Sequence, residues 1–140
     1  MSETAQAFAW VDAMMRADSS LMAAAVGGVH QGFADIGTVP PFVSFGRQSG
    51  SDVTTVNQIR LFVHILLQIK AVGPTANYAA LVTIADRIDA LFKDKRNIGL
   101  ASGGILACYR DSELAYDDPP VNGAAWANLG GLYHIELQGS

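Results

Sequence analysis

The chain has 140 residues, 50% of them hydrophobic and 16% charged, with 13 acidic against 9 basic side chains for a formal net charge of -4. This excludes a disordered chain, which needs low hydrophobicity and high charge, and a basic module that binds nucleic acid or anionic membrane. The length is that of one domain, expected to span residues 1–140. The single cysteine, Cys108, excludes an intrachain disulfide and a cysteine-built zinc site.

Met1 to Gln6 lacks a basic stretch followed by an apolar one, so no secretory signal is read and the mature protein is expected to begin there. Thr4 is placed to cap a helix over residues 5–17, in which Phe8, Val11, Met14 and Met15 make one apolar stripe. Asp18-Ser19-Ser20 reads as a second N-cap, opening a short Leu21–Ala25 turn that Gly27-Gly28 ends in a left-handed cap, after which Val29 begins extended structure. Pro40-Pro41 leads into a strand, Phe42–Arg47, bounded by the turn cluster Ser49–Asp52.

The clearest pattern runs from Gln58 to Lys70. Ile59, Leu61, Val63, Ile65, Leu67 and Ile69 occupy odd positions, while Gln58, Arg60, His64, Gln68 and Lys70 occupy even ones, so period two predicts one long strand. Phe62 and Leu66 also fall on the even face, which is therefore expected to be covered by a helix or by another subunit. The charges in this stretch keep it from being a bilayer span, which takes roughly 18 apolar residues; a soluble protein with no membrane partner is expected.

Gly73-Pro74-Thr75 breaks the strand and starts a helix down to Lys93, with Tyr78, Leu81, Val82, Ala85, Ile88 and Phe92 as its apolar stripe and Lys93, Lys95 and Arg96 at its C-terminal end. Strand signals return at Ile105–Arg110 and around Leu129–Leu137, separated by a long segment read as a loop from Asp111 to Asn128. The resulting fold class is α+β: a single domain with a mixed or antiparallel sheet of about four or five strands packed against two to three helices.

The chemistry-bearing residues form no recognised catalytic motif. His30, His64 and His134 fall in three separate strands, and each is expected to stand without a second metal ligand at i+2 to i+4 on its own element. His64 reads as a surface or interface residue. Gly46-Arg47-Gln48-Ser49-Gly50 does not fit a nucleophile elbow. Gly99–Gly104 follows a helix and lacks the Lys-Ser/Thr end of a phosphate loop, so it reads as a turn. Cys108 reads as a buried, inert thiol. Asp117-Asp118, followed by two prolines, lacks the spaced ligands of a calcium loop. The Lys93-Asp94-Lys95-Arg96 run reads as an exposed helix end. No catalytic residue, metal or cofactor is expected. An alternative of another class is a small-ligand-binding or enzymatic domain, with Arg60, His64 and Tyr109 converging on a pocket.

Four stretches, in this order and spacing, resemble the tail-terminator (tail-completion) proteins of long-tailed bacteriophages. They are Leu21–Val29 with its Val-Gly-Gly ending, the Pro40-Pro41-Phe42-Val43-Ser44-Phe45 strand opening, the strand from Ile59 with the helix through Phe92, and the closing Leu129-Gly130-Gly131-Leu132-Tyr133-His134-Ile135 strand. The likeness covers nearly the whole chain. It departs from the family pattern in lacking an aromatic residue between Ile69 and Gly73 and in its extended Arg110–Asn128 segment.

The resemblance implies a non-enzymatic virion protein at the head-proximal end of the tail, assembled in the host cytoplasm. Its copies would form a ring, usually of six subunits, that caps the tail tube and ends its polymerisation. The implied partners are further copies of the chain, the tail tube protein and the head-completion or stopper protein. DNA would pass through the channel without specific binding, since an acidic lining repels phosphates. Interface candidates are Arg60, Phe62, His64 and Leu66 on the even face of the long strand, and Tyr116, Asp117, Asp118 and Trp126 on the long segment. A head-tail connector or minor tail component is the alternative within the same particle.

Overall fold

A computed structural model of the chain describes residues 2–35, 37–54, 60–100, 103–121 and 123–138, with the side chains of Val53, Arg60 and Val121 also outside the description. Ser2, rather than Thr4, caps the first helix: its Oγ accepts from the Ala5 N–H at 3.2 Å, and α1 runs over Glu3–Arg16. Ala7, Trp10, Val11 and Met15 are its buried apolar residues, while Phe8 and Met14 are half-buried. Asp18 caps α2 (Ser19–Ala24) by accepting from Leu21 N–H at 2.9 Å, as its position predicts. Gly28 takes the left-handed φ of +82° before β1 (Val29–Gln31).

The next strand overruns its expected end. β2 extends over Phe42–Thr54, straight through the Ser49–Asp52 cluster, with a register shift between Arg47 and Ser49. The reason is its partner: β3 (Arg60–Pro74) is long enough to hold β2 in antiparallel pairing from Phe42–Val72 to Thr54–Arg60. Within β3 the alternation is as read. Val63, Ile65, Leu67 and Ile69 are at most 3% exposed, whereas Phe62, His64, Leu66, Gln68 and Lys70 are half-buried. Leu61 breaks the pattern at 50% exposure because it lies just outside the β3–β6 pairing, which begins at Phe62–Gln138. Residues 55–59, including Gln58 and Ile59 of the predicted strand, lie outside the described residues.

A 3-10 turn at Thr75–Asn77 leads into α3 (Tyr78–Phe92). Leu81, Ile84, Ile88 and Phe92 are buried on it, while Tyr78 and Val82, placed by sequence in the apolar stripe, are exposed. Three further strands follow: β4 (Asp94–Leu100), β5 (Gly103–Val121) and β6 (Ala124–Gln138). β4 corrects two expectations. Lys95 and Arg96 belong to an edge strand rather than a helix end, and the sheet has six strands rather than four or five. Leu100 stands opposite Gly103; Ala101 and Ser102, within the predicted glycine-rich turn, lie outside the described residues.

The segment expected to be a loop is a β-hairpin. β5 and β6 pair through Leu114–Gly130, Tyr116–Asn128 and Asp118–Trp126, so the ladder extends to the tip, and Pro119-Pro120 sits where the register shifts between Asp118 and Val121. A proline has no N–H to donate, so such a slip is where a ladder tolerates it. Asn122, at the end of this segment, is outside the described residues.

The strand order is β1-β2-β3-β6-β5-β4, with β1 parallel to β2 and every other pair antiparallel. α3 lies against β3, β5 and β6, and α1 against β1 and β6. One core joins Trp10, Val11 and Met15 of α1, Ile84, Ile88 and Phe92 of α3, and Val63, Ile65, Leu67, Ile69 and Ala71 of β3. The helices therefore cover the odd face of β3. Among the described residues no helix covers the even face.

Candidate functional site

The uncovered face carries two clusters, one at each end of the paired central strands. His64 and Lys70 are six residues apart on β3, so the clusters stand about 20 Å from one another at ordinary strand rise. At the Lys70 end, Phe33–Asp35 and Gly37–Pro40 bound a groove of about 650 Å³ against the sheet. Lys70 Nζ donates to the Tyr116 hydroxyl at 2.5 Å and stands 5.1 Å from the centre of its ring, and Asp118 accepts from Asn128 Nδ2 at 3.0 Å. The rings of Phe42 and Trp126 lie 6.2 Å apart on the same wall. Ser44 Oγ donates to Gly32 carbonyl, tying the chain there to β2. Phe33 is fully exposed at the groove's rim.

Three of the residues singled out by sequence, Tyr116, Asp118 and Trp126, are thus brought together with a cation and an aromatic wall. Asp117 is not among them; alternation turns it to the opposite face of β5, where it is exposed. Lys70, Phe33 and Phe42 were missed. Lys70 carried a usable signal, since it shares the even positions with His64, but its pairing with Tyr116 spans 46 residues of sequence and depends on β3, β6 and β5 lying side by side.

At the other end, register places His64 directly opposite Glu136, and Leu66 opposite His134. His64 Nδ1 and His134 Nε2 are 2.7 Å apart, and Glu136 Oε1 lies 3.5 Å from the former and 3.7 Å from the latter. Aromatic rings hold both imidazoles. Tyr109 stacks on His134 at 5.0 Å with 11° between the planes, and Phe62 meets His64 edge-on at 5.1 Å. The cluster opens on a shallow groove lined by Ser49, Ser51, Leu66 and Asp111. Its three polar side chains keep between 22% and 29% of their surface exposed.

Here the structure corrects the sequence reading. Glu136 follows His134 at i+2, which on a strand is the same face, so one of the three histidines does have a second potential ligand on its own element. His64 and Tyr109, named in the enzymatic alternative, both contact His134; the side chain of Arg60, the third member, lies outside the described residues.

Away from this face the titratable groups serve the packing. Cys108 is buried, with its Sγ 3.3 Å from the Phe92 carbonyl, and burial pushes its thiol up to about 12, slightly opposed by the charge of Lys95. The Tyr133 hydroxyl donates to Asp89 at 3.2 Å, and burial followed by the Asp89 charge raises its pKa. Arg87 donates from Nε to both Asp18 oxygens at 3.0 and 2.9 Å, and this hydrogen bonding holds the Asp18 carboxyl below its usual range. The burial of Cys108 agrees with the sequence reading.

The sequence matches no protein-family model and no curated protein. The fold does have a solved counterpart. A chain from the virion of a native gene transfer agent (GTA) particle superposes with a TM-score of 0.66 over 92% of this chain and 92% of that one, at 16% sequence identity. At that identity the likeness is one of fold.

Proposed function

We propose that this chain is a structural component of a phage-like virion, and that within the particle it is the tail terminator. The observation that carries the proposal is the end-to-end fold likeness to a chain of the gene transfer agent virion, over 92% of both chains. The order of the four tail-terminator-like stretches supports the finer role. On this reading, copies of the chain close into a ring, typically of six 14.8 kDa subunits, at the head-proximal end of the tail. The ring stops polymerisation of the tube protein and presents a face to the head-completion protein. It has no enzymatic activity.

The residues suit that work. The half-apolar even face, with Phe62 and Leu66 on it, is the surface that a neighbouring protein would cover, and Tyr116 and Trp126 are the amphipathic side chains that anchor interfaces. Asp111, Glu113, Asp117 and Asp118 along β5 are exposed and would repel DNA phosphates rather than hold them.

Negative-stain imaging of the purified protein, together with light scattering, tests the proposal. A ring with a central hole is the expected result. Monomers at every concentration, with no ring on isolated tails, would overturn it.

A further inference from the structure

We propose that His64, His134 and Glu136 form a binding site for a divalent first-row transition-metal ion, with zinc the natural probe. The argument starts from the triangle of donor atoms. Its sides are 2.7, 3.5 and 3.7 Å. A circle through three such points has a radius of about 1.9 Å, so a position slightly off their plane stands about 2.1 Å from all three, the length of Zn–N and Zn–O bonds. The imidazole centroids are 4.8 Å apart, and two rings bound to one ion at ordinary angles are separated by about 4.5–5.2 Å. The two nitrogens, hydrogen-bonded to each other at 2.7 Å, would subtend only about 80° at that position, so accepting an ion takes a side-chain rotation that parts them by about 0.5–0.7 Å.

The fold makes this geometry by register alone. His134 and Glu136 share a face because they are two apart on β6, and β3 sets His64 directly across from Glu136. Both strands lie in the middle of the sheet, paired on both edges, which is the rigid support that a precise ligand set requires. Tyr109 and Phe62 restrain the two rings from either side.

The donor set selects the class of ion. Two imidazoles and one carboxylate suit zinc, nickel, cobalt or copper, whereas magnesium and calcium prefer oxygen ligands alone. Three protein ligands leave an open position, and partial exposure of the side chains turns it toward the groove with Ser49, Ser51 and Asp111. No lysine or arginine lines that groove among the described residues, and Asp111 adds a negative charge to its lining. The site is independent of the ring role, since it needs only one folded chain.

The test is calorimetric titration of zinc into the chelator-treated full chain at pH 7.5, where metal ligands deprotonate readily. One zinc per chain is expected, with affinity lowered at least tenfold by H64A, by H134A and by E136Q, and unchanged by H30A. Magnesium should show no binding. Imidazole NMR resonances of the unmodified protein provide a measurement that does not depend on any variant folding: zinc should shift or broaden those of His64 and His134 and leave those of His30 unmoved. Absence of zinc binding, binding that survives H64A or E136Q unchanged, or equal perturbation of all three histidines would overturn the proposal.

Discussion

Gly130 is where the closest approach in the sheet can be tested with a single methyl group. It lies on β6 opposite Lys70 of β3, and a Cβ there would stand 2.0 Å from the Ile69 carbonyl oxygen, 2.6 Å from Lys70 Cα and 2.9 Å from Ile69 carbonyl carbon. All three obstacles are backbone, in a strand whose other edge is held by Ser44 and Phe45 of β2, so no side chain can rotate away. A carbon next to a carbonyl oxygen settles at about 3.3 Å or more, so the two central strands would have to part by about 1.3 Å. That stretches the adjacent ladder hydrogen bonds beyond useful length, at about 1 kcal/mol each, and overpacking strain adds about 1–3 kcal/mol. Gly130→Ala should therefore cost about 3–4 kcal/mol and lower the melting temperature by about 10 °C. Gly46→Ala is the control: it sits in β2 with nothing within 4 Å of the added carbon, and it should change stability by no more than about 0.5 kcal/mol. Thermal and urea melts followed by far-UV circular dichroism measure both. A Gly130→Ala protein that melts within about 2 °C of the unmodified chain would refute the reasoning.

Two further outcomes follow from the same geometry. Val63→Asp should abolish soluble folded protein, because an unpaired charge at a 3%-exposed core position costs several kcal/mol, while His64→Asp on the open face should stay folded; equal loss from both, judged by soluble yield and circular dichroism, would count against the register. Asp18→Asn should lower stability at neutral pH and the gap should close on acidification, because a carboxyl whose folded pKa is depressed stabilises above its ordinary value and stops doing so as pH falls through the lowered one; a gap that stays constant from pH 7 to pH 3 in denaturant titrations would dismiss the Arg87 contribution.

What could be read from the residues was what is encoded locally. β3 was legible because an apolar residue holds every odd position from Val63 to Ile69, and the Asp18 cap because a side chain three residues from its partner N–H needs no tertiary context. β4 was not, since Lys95 and Arg96 after an apolar helix match a helix end as well as an exposed edge strand. The hairpin was hidden by Asp117-Asp118-Pro119-Pro120, turn formers that here ride on a long partner strand rather than set the local conformation. The groove and the histidine pair were illegible for a different reason. Their contacts join β3 to β5 across 46 residues and to β6 across 70, and a pairing register at that separation leaves no periodic trace in the sequence. The two glycines of the Leu129–Ile135 stretch have a steric cause, because Gly130 can be nothing larger and a Cβ at Gly131 would stand 3.0 Å from the Tyr133 ring and 3.2 Å from Ser112 carbonyl oxygen.

The sheet also bears on how a ring could close. β4 pairs with β5 only from Gly103 to Tyr109, and β1 pairs with β2 only from Val43 to Phe45. Among the described residues, the outer edges of β5 beyond Tyr109 and of β2 beyond Phe45 therefore have no strand beside them. A two-fold dimer would bring one kind of edge against its own copy, and for β5 that sets Asp111, Glu113, Asp117 and Asp118 against the same acids, a repulsive arrangement that also blunts uncontrolled edge pairing. A ring instead needs a heterologous contact, in which one surface of each subunit meets a different surface of the next. The two free edges lie on opposite sides of the central β3–β6 pair and differ in charge, β5 from Arg110 to Val121 carrying four acids and one base, Arg110, while the β2 stretch from Gly46 to Thr54 holds Arg47 and a single acid, Asp52. On the proposed ring reading, these unlike edges favour head-to-tail closure over a symmetric pair.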